Sequence, residues 1–105
     1  MSVYNNADAQ RIRSSGGSVR VTMAANVGQG NGGTSLPCIG CWISAPSGNT
    51  APTKVNIDAV ASAILGVEIP EQEPIWIPID DVASLYFYTG GASDVVDITY
   101  LKGGA

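Results

Sequence analysis

The sequence predicts an all-β protein: a β-sandwich or jelly roll of about seven or eight short antiparallel strands, with an extended N-terminal arm. Three observations carry this expectation. Short apolar stretches alternate with period two, and turn signals separate them at intervals of roughly 8–12 residues. No long stretch repeats its apolar residues with the 3.6-residue period of a helix. The 13 glycines and 6 prolines in 105 residues are too many for a helical protein and suit strands joined by turns.

Residues 1–17 read as the arm and residues 18–105 as the sandwich domain. The arm segment "MSVYNNADAQRIRSSGG" is polar and has no period to bury. It fits either a disordered terminus or an arm that orders on a neighbouring subunit. "SVRVTMAANV" follows as a strand, with Val19, Val21 and Met23 on one face and Arg20 and Thr22 on the other. "GQGNGG" reads as a loop, in which Asn31-Gly32 is a strong turn pair. "CIGCWISA" is the next strand, placing Ile39, Cys41, Ile43 and Ala45 on one face and Gly40, Trp42 and Ser44 on the other. After the turn "PSGNTAP", "TKVNIDAV" is a short strand with Val55 and Ile57 inward. "ASAILGVEI" admits one helical turn.

"PIWIPIDD" alternates Ile75, Ile77 and Ile79 with Pro74, Trp76 and Pro78. Proline cannot donate to a ladder, so one side of this strand is an edge or lies against a loop. Asp80 to Ser84 turn the chain. "LYFYT" and "DVVDITYL" then form a hairpin across Gly90 to Ser93, with Val96, Ile98 and Tyr100 on one face.

Composition narrows the function. Charged residues are only 13%, about half the usual ~25%, which suggests surfaces covered by something other than water. There is no histidine, the commonest general base and metal ligand. No apolar run of about 20 residues exists to span a membrane, and residues 1–16 hold no signal-peptide core. Charge is uneven. Residues 1–20 hold three arginines against one aspartate, a net +2, and residues 21–105 hold two lysines against eight carboxylates, a net −6. The acidic body disfavours nucleic acid. The basic end suits an acidic protein surface.

The candidate chemical motifs read as structural. Cys38-Ile-Gly-Cys41 lies on a strand pattern, whereas a redox pair needs its first cysteine at a helix N-terminus. Zinc usually takes four ligands, commonly Cys and His. Residues three apart on a strand point to opposite faces, and two cysteines do not make a disulfide framework. Both read as buried free thiols. Asp80-Asp81 reads as a turn cap. Neither "GGS" nor "GQGNGG" has the Lys-Ser/Thr tail of a phosphate loop. Tyr86, Phe87 and Tyr88 have no basic residue near them for stacking on nucleic-acid bases. They read as core and interface packing, leaving one partly apolar face that seeks a partner.

From Cys38 onward the pieces fall in a familiar order. They are the strand Cys38–Ala45, Asn49-Thr50, the turn Gly66–Pro70, the strand Ile75–Ile79, the unit Asp80–Tyr86 and the final strand Val95–Leu101. In this order they resemble a widespread kind of small bacteriophage virion accessory protein of the β-sandwich type, of the capsid decoration (cement) sort. The family's Pro-Gly-Glu turn is replaced here by Pro70-Glu71-Gln72-Glu73, so that turn differs in shape. The resemblance implies a non-enzymatic virion accessory protein of heads or tails; the leading expectation is a capsid decoration protein with no cofactor or metal, made in the host cytoplasm and carried on the capsid surface. Its expected partners are the major capsid protein and further copies of itself, as a trimer in preference to a dimer.

On that reading Arg11 and Arg13 of the arm clamp an adjacent capsid subunit. Trp42, Trp76, Tyr86 and Tyr88 anchor the interface, although each also fits a core position, Trp42 as well as it fits an interface. Other places for the same sandwich are a head-fibre base, a tail or neck component, or a carbohydrate-binding virion module in which Trp76 and the tyrosines stack on sugar rings.

Overall fold

The computed structural model describes residues 16–50 and 52–102. Among them there is no α-helix, and eight strands form two four-stranded antiparallel sheets. The strands are β1 Gly16–Thr22, β2 Val27–Gln29, β3 Gly40–Ser44, β4 Lys54–Ile57, β5 Val67–Glu68, β6 Ile75–Ile77, β7 Leu85–Tyr88 and β8 Val95–Leu101. One sheet runs β1-β8-β3-β6 and the other β2-β7-β4-β5. The first strand pairs with the last, β2 with β7, β3 with β6 and β4 with β5. The chain is therefore one long hairpin folded over on itself into two layers. The all-β expectation holds, with β6 at a sheet edge as its flanking prolines require.

The core lies between the layers. Cys41 and Ile43 of β3, Val96 and Ile98 of β8, and Leu85 and Phe87 of β7 are shut off from water, with Val82 beside them. Burying each of the large aliphatic or aromatic side chains contributes about 1.5–3 kcal/mol. Period-two alternation puts the polar partners outside: Arg20, Asp97 and Ser44 share one cross-strand row on the outer face of their sheet.

Several expectations are corrected. The segment 18–27 is not one strand. Ala25 takes a left-handed φ of 57° and Ala24 bridges to Val27, so the chain turns there from one sheet into the other. Val27, Gly28 and Gln29 are a strand, where Gly28 and Gln29 had read as loop. The turn proper is the 3₁₀ stretch Gly30–Gly33, with Asn31 and Gly32 at φ 51° and 62°. β7 and β8 do not form a hairpin, since they lie in different sheets and pair with other strands. Alternation tells which face is buried and not which strand is the neighbour. Residues 62–65 make a tight turn closed by Ser62 and Leu65, not a helical turn. Ile57 and Ile39, expected inward, are about half exposed because each stands at a strand end where the other layer no longer covers it. β1 also takes in Gly16 and Gly17, two residues assigned to the arm; residues 1–15 lie outside the described residues.

Side chains tie the link between β7 and β8 to its surroundings. The Asn49 amide donates to the Val95 carbonyl at 2.6 Å and accepts from the Val95 N–H at 2.9 Å, acting as a further strand partner at the start of β8. The buried Asp94 carboxylate accepts from the Thr50 N–H at 2.9 Å. The Asn49-Thr50 pair thus has a structural task in this chain. Replacing Asn49 with alanine leaves both backbone groups of Val95 short of a partner, at a cost of roughly 1–3 kcal/mol. Thermal unfolding followed by circular dichroism should show a fall in Tm of roughly 4–8 °C for each kcal/mol lost. An unchanged Tm would remove Asn49 from the forces holding β8.

Candidate functional site

Two surfaces stand out. The first is the outer face of the β1-β8-β3-β6 sheet. Trp42 of β3 lies directly opposite Trp76 of β6 and, on its other side, Thr99 of β8. The indole centroids are 5.3 Å apart with planes at 60°, an edge-to-face pair. Trp42 is 46% exposed and Trp76 39%, which places both on the surface and not in the core. A Cβ on Gly40 would fall 2.3 Å from Trp76 Cζ2, so the indole rests over a backbone that only glycine leaves open. Two rows of β-strand further on, Arg20 grips Asp97 through Nε at 2.7 Å and Nη2 at 3.0 Å. That hydrogen bond, then the charge of Asp97, pushes the Arg20 pKa up. Both side chains are solvated, so the pair is worth little to stability.

The second surface is the open side of the sandwich, where β5 and β6 are the two sheet edges. The layers part there into an apolar groove of about 310 Å3, lined by Val55, Ile57, Val67, Ile75, Ile77 and Pro78. Apart from this groove, the link from β4 to β5 carries Val60, Ile64 and Leu65, all exposed, Ile64 to 88%, with Val60 beside Val27, Gln29 and Tyr86. Sequence reasoning missed these residues. Their signal was the apolar run in "ASAILGVEI", which no polar partner face accompanies. At the end of the sandwich a second hollow of about 600 Å3 has Ile39, Ile57, Pro78 and Ile79 in its walls together with Asp58 and Asp80.

Of the residues expected at an interface, the structure brings Trp42 and Trp76 together. Tyr86 and Tyr88 are half-buried on the outer face of the other sheet, on the far side of the molecule from the tryptophans. Tyr86 Oη accepts from Gln29 Nε2 at 3.3 Å, and the same amide donates to the Ala83 carbonyl at 2.7 Å. Arg11 and Arg13 lie outside the described residues.

The cysteines are buried and unbridged. Cys38 Sγ donates to the Ile79 carbonyl at 3.3 Å. Burial raises the Cys38 pKa, against a lowering hydrogen bond from Gly40. Burial, and then the neighbouring Cys38, push the Cys41 thiol up to about 12. At neutral pH both stay protonated and are poor nucleophiles. Among the described residues no three of His, Cys, Asp and Glu stand close enough to hold a metal ion, and no helix is long and apolar enough to cross a membrane.

Asp81 is a cap. Its carboxylate accepts from the Leu36 and Ala83 N–H groups, each at 2.9 Å, and from the Ser35 hydroxyl, which starts the 3₁₀ turn Val82–Ser84 and ties it to the approach to β3. These bonds, Leu36 first, hold the Asp81 pKa below its ordinary value.

Two measurements check this account. A disulfide-exchange reagent should react with neither cysteine in the native protein and with both after unfolding; fast labelling of the native chain would show an accessible thiolate. For Asp81, the unfolded side chain takes up its proton near ~3.9 while the folded one resists until lower pH. Its stabilisation is therefore complete above the unfolded pKa and is lost as pH falls through the folded one. Denaturant titrations at stepped acid pH should show a smaller acid loss in Asp81→Asn than in the parent chain; equal slopes would contradict the cap.

The chain matches no protein-family model, no curated protein and no solved structure at a significant level.

Proposed function

We propose that the chain is a structural component of a bacteriophage virion, a capsid decoration protein. It seats on the outer face of the major capsid protein and stabilises the head. The observation that carries the reading is the exposed apolar surface on a small body of low charge. An edge-to-face tryptophan pair lies on one sheet, an apolar groove lined by Val55, Ile57, Val67, Ile75 and Ile77 runs along the open side, and Val60, Ile64 and Leu65 stand exposed on the link from β4 to β5. Isolated small proteins rarely leave so much apolar surface bare, and contiguous patches of this kind mark protein contacts. The order of motifs from Cys38 to Leu101 supports the same assignment, as does the pairing of first strand with last, the connectivity of a jelly roll.

In this role the tryptophans are anchors, residues 1–17 clamp a neighbouring subunit through Arg11 and Arg13, and the protein works as a symmetric oligomer, a trimer in preference to a dimer. Several weak contacts made at once then hold it on the head.

Purified expanded heads lacking this protein are the test. The full chain should bind to saturation at a fixed number of copies per head, and a chain lacking residues 1–17 should bind more weakly. Trp42→Ala and Trp76→Ala should each cost about 2 kcal/mol or more if they are central anchors, roughly a 30-fold loss of affinity. Binding to tails or necks in place of heads would move the protein to that part of the virion.

A further inference from the structure

The core is left open along the side of the sandwich where β5 and β6 end the sheets. Val67 of β5 stands across from Val55 of β4, so both side chains are on the core face. Val55 is buried, but Val67 is 65% exposed, because β5 has only two residues and is the edge of its sheet. The groove of about 310 Å3 opens beside it, and none of the residues lining it is charged. One leucine cut from a packed core leaves a cavity of about 150 Å3, so the groove has room for two aliphatic side chains.

The same chain presents two such side chains on a finger just before β5. The Ser62 N–H donates to the Leu65 carbonyl at 2.9 Å, and the Leu65 N–H donates to the Ser62 carbonyl at 3.3 Å. Ser62 Oγ also accepts from the N–H groups of Ile64 at 3.3 Å and Leu65 at 3.1 Å. Ala61 is buried at the base, while Ile64 and Leu65 stand in water. A finger already held in shape loses little freedom on docking.

A second copy of the chain fits the groove in charge, in placement and in area. At a net charge of −4, copies repel one another and meet closely only where neither brings a charge. Residues 59–67 carry none, and nor does the groove. Glu68, next along, alternates to the outer face, across from Lys54. Leu65 lies two residues before Val67, within about 7 Å of it. Finger and groove therefore adjoin, and a two-fold axis beside them lets each copy fill the other's groove. Ile57, Ile64, Leu65 and Val67 together expose roughly 300 Å2 of apolar surface per copy. Interfaces are about 60% apolar, so the exchange covers roughly 1,000 Å2 in all, the size at which specific pairs begin.

We propose that free copies of the chain pair by exchanging fingers: Ile64 and Leu65 of each copy enter the groove between β5 and β6 of the other. The pair is weak, since its area is at the low end for a specific contact. The inference concerns the protein in solution. It stands apart from the virion reading and from the trimer proposed there, and it leaves the tryptophan face of the other sheet free.

The test is sedimentation velocity on the full chain over a range of concentrations. The average mass should rise with concentration from one chain towards two. Ile64→Asp should weaken pairing roughly 30-fold or more, and Val67→Asp should do the same from the groove side. Both positions are exposed, so circular dichroism should show either variant folded. Val60→Asp adds the same charge at an exposed site outside the groove and should leave pairing in place. In a sample mixing differently labelled copies, nuclear magnetic resonance should show cross-peaks between the methyl groups of Ile64 and Ile75 that run between molecules. A single-chain mass at every concentration overturns the proposal, as does pairing that survives Ile64→Asp. A mass that rises to three chains overturns the two-fold exchange. A parent chain that stays single while Ile64→Asp abolishes its binding to heads assigns the finger to the capsid and overturns pairing.

Discussion

Strand β8 is held on both sides, by β1 and by β3, and its inward residues Val96 and Ile98 lose all contact with water. The placement of much else follows from this one strand. Its register against β3 sets Trp42 across from Thr99, and β3 in turn sets Trp76 across from Trp42. Its last residue, Leu101, receives Gly16 on one flank and Gly40 on the other, which fixes where β1 begins relative to the hollow. A slip of one residue would turn Val96 and Ile98 outward and bring Asp97 into the core, so the hydrophobic term and the ladder enforce the same alignment.

Much of this was legible because burial leaves a period-two mark. Val96, Ile98 and Tyr100, and Ile75 and Ile77, stand in the sequence as they stand in the sheet. Pro74 and Pro78 marked an edge for a reason of covalent chemistry, the missing N–H. Asp81 was legible as a cap because a short carboxylate at a turn has few better partners than backbone N–H groups. What the alternation could not carry was pairing. β7 and β8 are adjacent in sequence and each has one apolar face, but they serve opposite layers. β2 was hidden because its inward residue is Gly28, which lies against the Met23 side chain and offers no apolar signal of its own.

The surface divides along similar lines. Trp42 was placed on the face opposite Cys41 and Ile43 by alternation alone, but whether that face met water or a second layer depended on the strand order. The tyrosines follow the same rule on the other sheet, with Phe87 inward and Tyr86 and Tyr88 outward. The four aromatics therefore cannot form one patch on a single copy. The apolar link before β5 gave no period at all, since residues 60–65 are held by a turn and not by a ladder.

The rolled hairpin has a consequence for how the molecule comes into being. Its outermost pairing joins Gly16 to Leu101, so the ladder that closes first in sequence order is β4 with β5, and the one that closes last spans nearly the whole described chain. Non-local closure of this kind is slow compared with helical folds of the same size. On a ribosome β1 would be made first among the described strands and wait for β8, the strand it pairs with. Until then Val21 lacks its partner strand, and β3, which β6 can already meet on one side, has its other edge open. Nascent chains of this topology thus pass through a period in which their most apolar strands are open to wrong partners, and chaperone occupancy should track the emergence of residues 95–101 more closely than the total length made.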